Sequence, residues 1–142
     1  MLGSADCLRS SARTADPKTG GPRYHYRHMN QCIFCRIVER TAPAKIVFEG
    51  DDILAFEDVR PQAPVHILIV PRKHLASLKD ATADDAPLLG RMHTVATQLA
   101  RERGLETRGY RTVINTGPGA GQTVFHLHIH LLGGRVFHWP PG

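Results

Sequence analysis

From Cys32 onward the apolar residues of the chain follow two periods. Ile33, Phe34, Ile37 and Val38 fall on one face at helical spacing, and Asn30 can cap such a helix, so a helix is predicted from Asn30 to about Glu39. Pro43 marks a turn. Lys45–Glu49 and Ile53–Asp58 then read as the two strands of a hairpin closed by Gly50-Asp51-Asp52. Pro61, Pro64 and Pro71 bracket the longest apolar run, Val65–Val70, which suits a buried strand although it carries His66. Thr82-Ala83-Asp84-Asp85 is a capping start for a second helix. Its stripe is Leu88, Met92, Val95 and Leu99, flanked by Leu89, Ala96 and Ala100, and Gly104 is its stop. Arg111–Asn115 reads as a strand and Gly117–Gly121 as a glycine-rich loop. The last strand runs from Thr123 to about Leu132, where Gly133-Gly134 ends it. Helix, hairpin, strand, long helix and two further strands predict an α+β fold, a mostly antiparallel five-stranded sheet covered by two helices. No internal repeat is present.

Residues 1–30 lack this patterning and read as an N-terminal extension to a single domain at 31–142. They are rich in Ser, Gly, Pro, Arg and Thr. Arg9 and Arg13 with Ser4, Ser10 and Ser11 fit an organelle transit peptide, a mitochondrial one for example; Asp6, Asp16 and the Pro17–Gly21 stretch fit it poorly, and Met29 would serve as an internal start. The favoured reading is therefore a disordered extension on a cytoplasmic protein, with the organelle signal as the alternative. Five basic and two acidic residues in 1–28 account for +3 of the formal charge of +5, which leaves +2 for the domain. A nucleic-acid-binding face is not indicated, but a small anion would suit. No apolar run approaches the ~20 residues of a membrane span. Three cysteines, Cys7, Cys32 and Cys35, argue against a disulfide scaffold and for a reducing compartment.

The chemistry concentrates in His126-Leu127-His128-Ile129-His130. In a strand, His126, His128 and His130 project from one face, and Phe125, Leu127, Ile129 and Leu131 project from the other into a core. Isolated histidines are usually structural, and alternating ones can also chelate a metal. Three imidazoles after a glycine-rich loop point instead to phosphate chemistry. A ring with an unperturbed pKa near ~6.5 is a neutral nucleophile that an anionic phosphate does not repel. Flanking imidazoles can donate to the phosphoryl oxygens, and the backbone N–H groups of the loop can cradle them.

On these residues the chain resembles the histidine-triad (HIT) superfamily, whose signature alternates His with apolar residues. Cys32-Ile33-Phe34-Cys35, Leu54–Asp58, Pro61–His66, Val70–His74 and Gly121–Phe125 agree with it. Gly133-Gly134-Arg135 with His138-Trp139-Pro140-Pro141-Gly142 looks like the histidine triad nucleotide-binding (Hint) branch. The resemblance implies that His128 is the nucleophile and forms a covalent nucleotidyl-histidine. His130 would contact the phosphate, His126 would steady the network, and His66 would be the family's fourth histidine, which sets tautomers. It places Asp58 on the ribose, and Ile33, Phe34, Ile37 and Phe56 around the base. Asn115, Gly121, Gln122 and Thr123 fall near the phosphate and leaving group, Thr123 standing where a serine is common. It further implies a homodimer whose sheet continues across the interface, with Trp139 reaching towards the partner's site.

His130 in place of glutamine argues for hydrolysis over transfer to a sugar phosphate. The implied substrate is a purine nucleoside 5′-phosphoramidate, cleaved to the AMP- or GMP-type monophosphate and an amine with no cofactor required. Dinucleoside polyphosphate hydrolysis and a nucleotide-binding regulatory or scaffold role are the alternatives. Cys32-x2-Cys35 has zinc spacing. Some members of the family complete such a set with residues matching His74 and His126, so a structural zinc on Cys32, Cys35, His74 and His126 is an accessory option. Two small buried thiols are the other reading.

Overall fold

A computed structural model describes residues 31–142. The extension, the Asn30 cap and Met29 lie outside the described residues. The chain forms helix α1 (Ile33–Val38), strands β1 (Ile46–Glu49), β2 (Ile53–Glu57) and β3 (Val65–Pro71), helix α2 (Ala86–Glu102), and strands β4 (Tyr110–Val113) and β5 (Ile129–Gly133). The five strands make one antiparallel sheet in the order β1-β2-β3-β5-β4. Among the described residues the expected fold class and element count hold. Among the described residues no helix is long and apolar enough to cross a membrane.

Strand alternation divides the core in two. Ile53, Ala55, Ile67, Ile69, Ile129 and Leu131 face α2, where they meet Met92, Val95, Ala96 and Leu99 of the predicted stripe. Leu54, Phe56, Leu68 and Val70 face the other way and pack on Phe34 and Ile37 of α1. His66 shares this second parity, and Leu68 is paired directly with His130. The α1 side of the sheet is therefore where the chemistry collects.

Helix α1 starts later than expected. Cys32 is its cap, and the Cys32 Sγ accepts the Cys35 N–H at 3.5 Å. The helix closes with Thr41 N–H on the Arg36 carbonyl at 2.8 Å while Arg40 takes a left-handed φ of 63°. Helix α2 begins with the expected box: Thr82 N–H donates to the buried Asp85 carboxylate at 2.9 Å, through a short 3-10 turn. Strand β4 starts one residue before the predicted position and leaves Ile114 and Asn115 beyond its end.

The last strand departs most from expectation. It begins at Ile129 rather than Thr123. Ile129 pairs with Ile69, and the ladder stops as β3 reaches Pro71, which has no N–H to donate. Residues before Ile129 bond elsewhere: Leu127 N–H donates to the Leu75 carbonyl at 2.6 Å. Leu127 still enters the α2-side core, but Phe125 does not; its residue is 51% exposed.

Candidate active site

Three segments converge beside α1. The first is the run His126–His130. The second is β3 with the loop that follows it, which supplies His66 and His74. The third is the cysteine-bearing start of α1. All three ladder rings remain on one side despite the late start of β5. Phe34 lies 5.9 Å from the His126 ring and 5.2 Å from that of His128, edge to face, and the His128 and His130 rings are 4.8 Å apart.

Backbone groups fix which nitrogen of each ring carries hydrogen. The only way His128 Nδ1 can satisfy the His126 carbonyl, 2.7 Å away, is as a donor. That leaves the His128 Nε2 with a free lone pair. His126 Nε2 is bound in the same way to the Pro71 carbonyl at 2.8 Å, so its lone pair is on Nδ1. His66 is fixed in the opposite sense. Its Nδ1 accepts the Gln62 N–H at 3.0 Å, so its Nε2 carries the hydrogen. That Nε2–H faces His130 Nδ1 at 2.9 Å, which places the hydrogen of His130 on Nε2. The site thus presents one bare imidazole nitrogen next to one ring N–H. Burial disfavours the charged form of all four rings. It lowers His126 and His130 to about 4, with neighbouring histidine charges adding to the effect, and pulls His66 and His128 below the usual histidine value.

The other predicted residues separate into several groups. Asp58 lies beside the His66–His130 contact, its carboxylate 3.5 Å from His66 Nε2 and also accepting the Arg60 N–H at 2.8 Å, and the polar atoms of Asp58, His66 and His130 fall within 4.8 Å of one another. Phe34, Ile37 and Phe56 are buried together, with Phe34 and Phe56 in edge contact at 5.3 Å, whereas Ile33 is exposed and outside that cluster. Gln122 is buried and occupied. Its side-chain carbonyl accepts Gly117 N–H at 2.8 Å, and its amide donates to the carbonyls of Ala76 and Val124 at 2.7 and 3.1 Å. It braces the glycine loop. Gly121 closes a 3-10 turn at φ 88°, and a Cβ there would meet the Asn115 amide at 3.9 Å. Thr123 is exposed, as is Trp139, at 84%. A cavity of about 550 Å³ lies elsewhere, beside β4, lined by Arg108, Tyr110, Arg111, Arg135 and Phe137 and by none of the ladder histidines.

Cys32, Cys35, His74 and His126 form a second constellation, all four donor atoms within 4.8 Å of one another. Cys35 Sγ is 3.2 Å from His74 Nδ1 and 3.5 Å from His126 Nδ1, and the two Nδ1 atoms are 3.2 Å apart. Around a tetrahedral zinc with bonds of ~2.3 Å to sulfur and ~2.05 Å to nitrogen, such edges are about 3.6 and about 3.3 Å. The set fits the ion. The lone pair of His126 already points inward because Pro71 holds its opposite nitrogen. Burial and the neighbouring Cys32 push the Cys35 thiol up to about 12 without a cation.

Several partners had no sequence signal. Pro71 reads as a strand terminator, yet its carbonyl orients His126. Gln62 acts through its backbone, to which the identity of its side chain gives no clue.

A paired sheet with helices on both faces and a histidine ladder leading into its central strands defines a histidine-triad protein. Comparison with known proteins agrees. The family model described as scavenger mRNA decapping enzyme C-term binding matches residues 31–136. An uncharacterized HIT-like protein of Synechococcus elongatus is 58% identical over 110 residues, covering 78% of this chain and 96% of that protein. Among solved structures, a HIT family hydrolase from Legionella pneumophila is 51% identical with a TM-score of 0.77, covering 78% of this chain and 99% of that one. A zinc-bound histidine triad family protein from Mycobacterium smegmatis is 30% identical with a TM-score of 0.66, covering 80% and 81%. The chain belongs to the HIT family.

Proposed function

We propose that this protein hydrolyses purine nucleoside 5′-phosphoramidates through a nucleotidyl intermediate on His128. The observation that carries the reading is the bare Nε2 of His128, created by donation of its Nδ1–H to the His126 carbonyl. That lone pair attacks phosphorus and forms an N–P bond. The P–N bond to the amine breaks, and the amine leaves with the electron pair and takes a proton from solvent. The His128 ring is then cationic, and its Nδ1–H on a carbonyl stabilises that charge. The Nε2–H of His130 donates to a phosphoryl oxygen as charge builds. Water attacks phosphorus next, releases a proton and the monophosphate, and returns the ring to neutral. Similarity to a protein described as a HIT family hydrolase supports hydrolysis.

In this reading Asp58 accepts from the ribose hydroxyls, and Ile33, Phe34, Ile37 and Phe56 form the base side. Asn115, Gly121 and Thr123 border the phosphate, with Gln122 bracing the loop behind them. Cys32, Cys35, His74 and His126 would hold a structural zinc that ties the start of α1 to the ladder, a reading supported by the zinc-bound mycobacterial relative. Among the described residues strand β4 is an edge paired on one side only and with a regular register, whereas the β1 edge is broken by a register shift. A second copy joining at β4 would continue the sheet and give Trp139 a partner.

A turnover panel of adenosine phosphoramidate, guanosine phosphoramidate and a diadenosine polyphosphate tests the reading. The phosphoramidates should be cleaved faster, and His128→Ala should abolish turnover while still binding AMP. Preference for the polyphosphate would reassign the substrate, and unchanged turnover in His128→Ala would refute the role of that residue.

A further inference from the structure

Arg135 leaves β5 just after two glycines, and its Nε donates to the Gln62 carbonyl at 2.9 Å. Gly134 makes this approach feasible. It sits at φ 89°, and a Cβ there would lie 2.9 Å from the Pro64 Cβ, so only a residue without a side chain lets the chain press against the 61–64 loop. The guanidinium of Arg135 stacks 4.1 Å from the centre of the Phe137 ring, and Arg111 lies 5.0 Å from the same centre. The Gln62 side chain fixes the loop from within by donating to the Arg60 carbonyl at 3.0 Å.

The loop anchored in this way delivers the Gln62 N–H to His66 Nδ1 at 3.0 Å, and His66 Nε2 meets His130 Nδ1 at 2.9 Å. We propose that Arg135 is a positioning residue: by holding the Gln62 carbonyl it keeps the Gln62 N–H on His66 and so keeps the hydrogen of His130 on Nε2, facing the substrate. If the loop lifts, His66 Nδ1 is free to carry the hydrogen. His66 Nε2 then becomes an acceptor, against the pull of the Asp58 carboxylate 3.5 Å away, which makes the exchange partial; to that extent His130 Nδ1 becomes the donor, and His130 Nε2 is left bare where a phosphoryl oxygen needs a donor. The two rings exchange tautomers together because they share one hydrogen bond. The catalytic consequence rests on the proposed hydrolase reading; the tautomers are a property of the resting protein and do not.

The test is long-range ¹H–¹⁵N NMR of histidine-labelled full chain, with steady-state turnover of adenosine phosphoramidate alongside. In the parent, His66 and His130 should both be Nε2–H. Arg135→Met should move both towards Nδ1–H and lower kcat roughly fivefold to tenfold, about one net hydrogen bond, with KM within about twofold. Arg135→Lys, which can still reach the carbonyl, should recover part of both effects. Phe137→Leu, which loosens the guanidinium stack, should give a weaker version and serves if Arg135→Met does not fold. Arg103→Met removes an exposed arginine that pairs with Glu57 and should leave both tautomers unchanged. Parent-like tautomers in folded Arg135→Met, or in Phe137→Leu if only that variant folds, would overturn the proposal. Failure of the parent to cleave any phosphoramidate would count against the hydrolase reading alone.

Discussion

Replacing Phe34 with alanine should uncouple the site from the fold. The ring is buried at 6% exposure within the α1-side core, in edge contact with Phe56 at 5.3 Å and with the rings of His126 and His128. Truncating a buried phenylalanine costs roughly 3–5 kcal/mol, the lost transfer free energy plus the cavity left behind. Aromatic edge contacts contribute on the order of 0.5–1.5 kcal/mol beyond area, which favours the upper part of that range. For a domain of this size about 4 kcal/mol corresponds to a fall in Tm of roughly 15 °C. Urea denaturation with zinc saturating in both proteins should give this loss with an unchanged m-value. Phe34→Leu keeps most of the volume and loses the ring edges, so it should cost about 1–1.5 kcal/mol. Its kcat should fall more than its stability suggests, because two imidazoles lose their lateral support. A loss below about 1 kcal/mol in Phe34→Ala would refute the packing described for this face.

Gly134→Ala combines a left-handed φ with a contact of 2.9 Å to Pro64 and should destabilise the domain by about 1–3 kcal/mol, read by urea titration. Protein purified without chelator should contain one zinc per chain. Chelation or Cys35→Ser should lower Tm, and absence of stoichiometric zinc by elemental analysis would retire the metal site. His130 is held neutral, with its folded pKa lowered to about 4 by burial and by the neighbouring histidines. Between about pH 6.5 and about pH 4 the unfolded chain takes a proton at this position that the folded chain refuses, so stability should fall as pH drops through that window. His130→Gln should flatten this slope in denaturation measured across the window; an identical slope in both proteins would contradict the assignment.

Much of this arrangement is legible in the sequence because two periods carry it. The apolar runs at Ile53–Glu57 and Val65–Val70 announce buried strands, though which residues meet which helix shows only in the fold, and the Leu88–Leu99 stripe finds its sheet. The ladder shows its chemistry directly, since three histidines at alternate positions share a face even where the strand has ended. What stays hidden depends on contacts between distant backbones. The start of β5 at Ile129 follows from Pro71, a residue 58 positions earlier on the neighbouring strand. The exposure of Phe125 follows from that displacement, because period two assumes a strand that does not extend so far. Gln122 looks like a ligand-facing amide, and only the carbonyls of Ala76 and Val124 reveal that its donors are used. His74 is 52 residues from His126, and no local pattern announces that their Nδ1 atoms meet. The tautomers are set by the carbonyls of Pro71 and His126 and the N–H of Gln62, backbone groups that every sequence offers.

The most direct test of the account is rapid acid-free quenching of the protein during turnover of adenosine phosphoramidate, followed by intact mass and peptide mapping. The account predicts a transient gain of one adenylyl group, located on His128 and absent from His128→Ala. An adduct on another side chain, or steady turnover by His128→Ala, would contradict it.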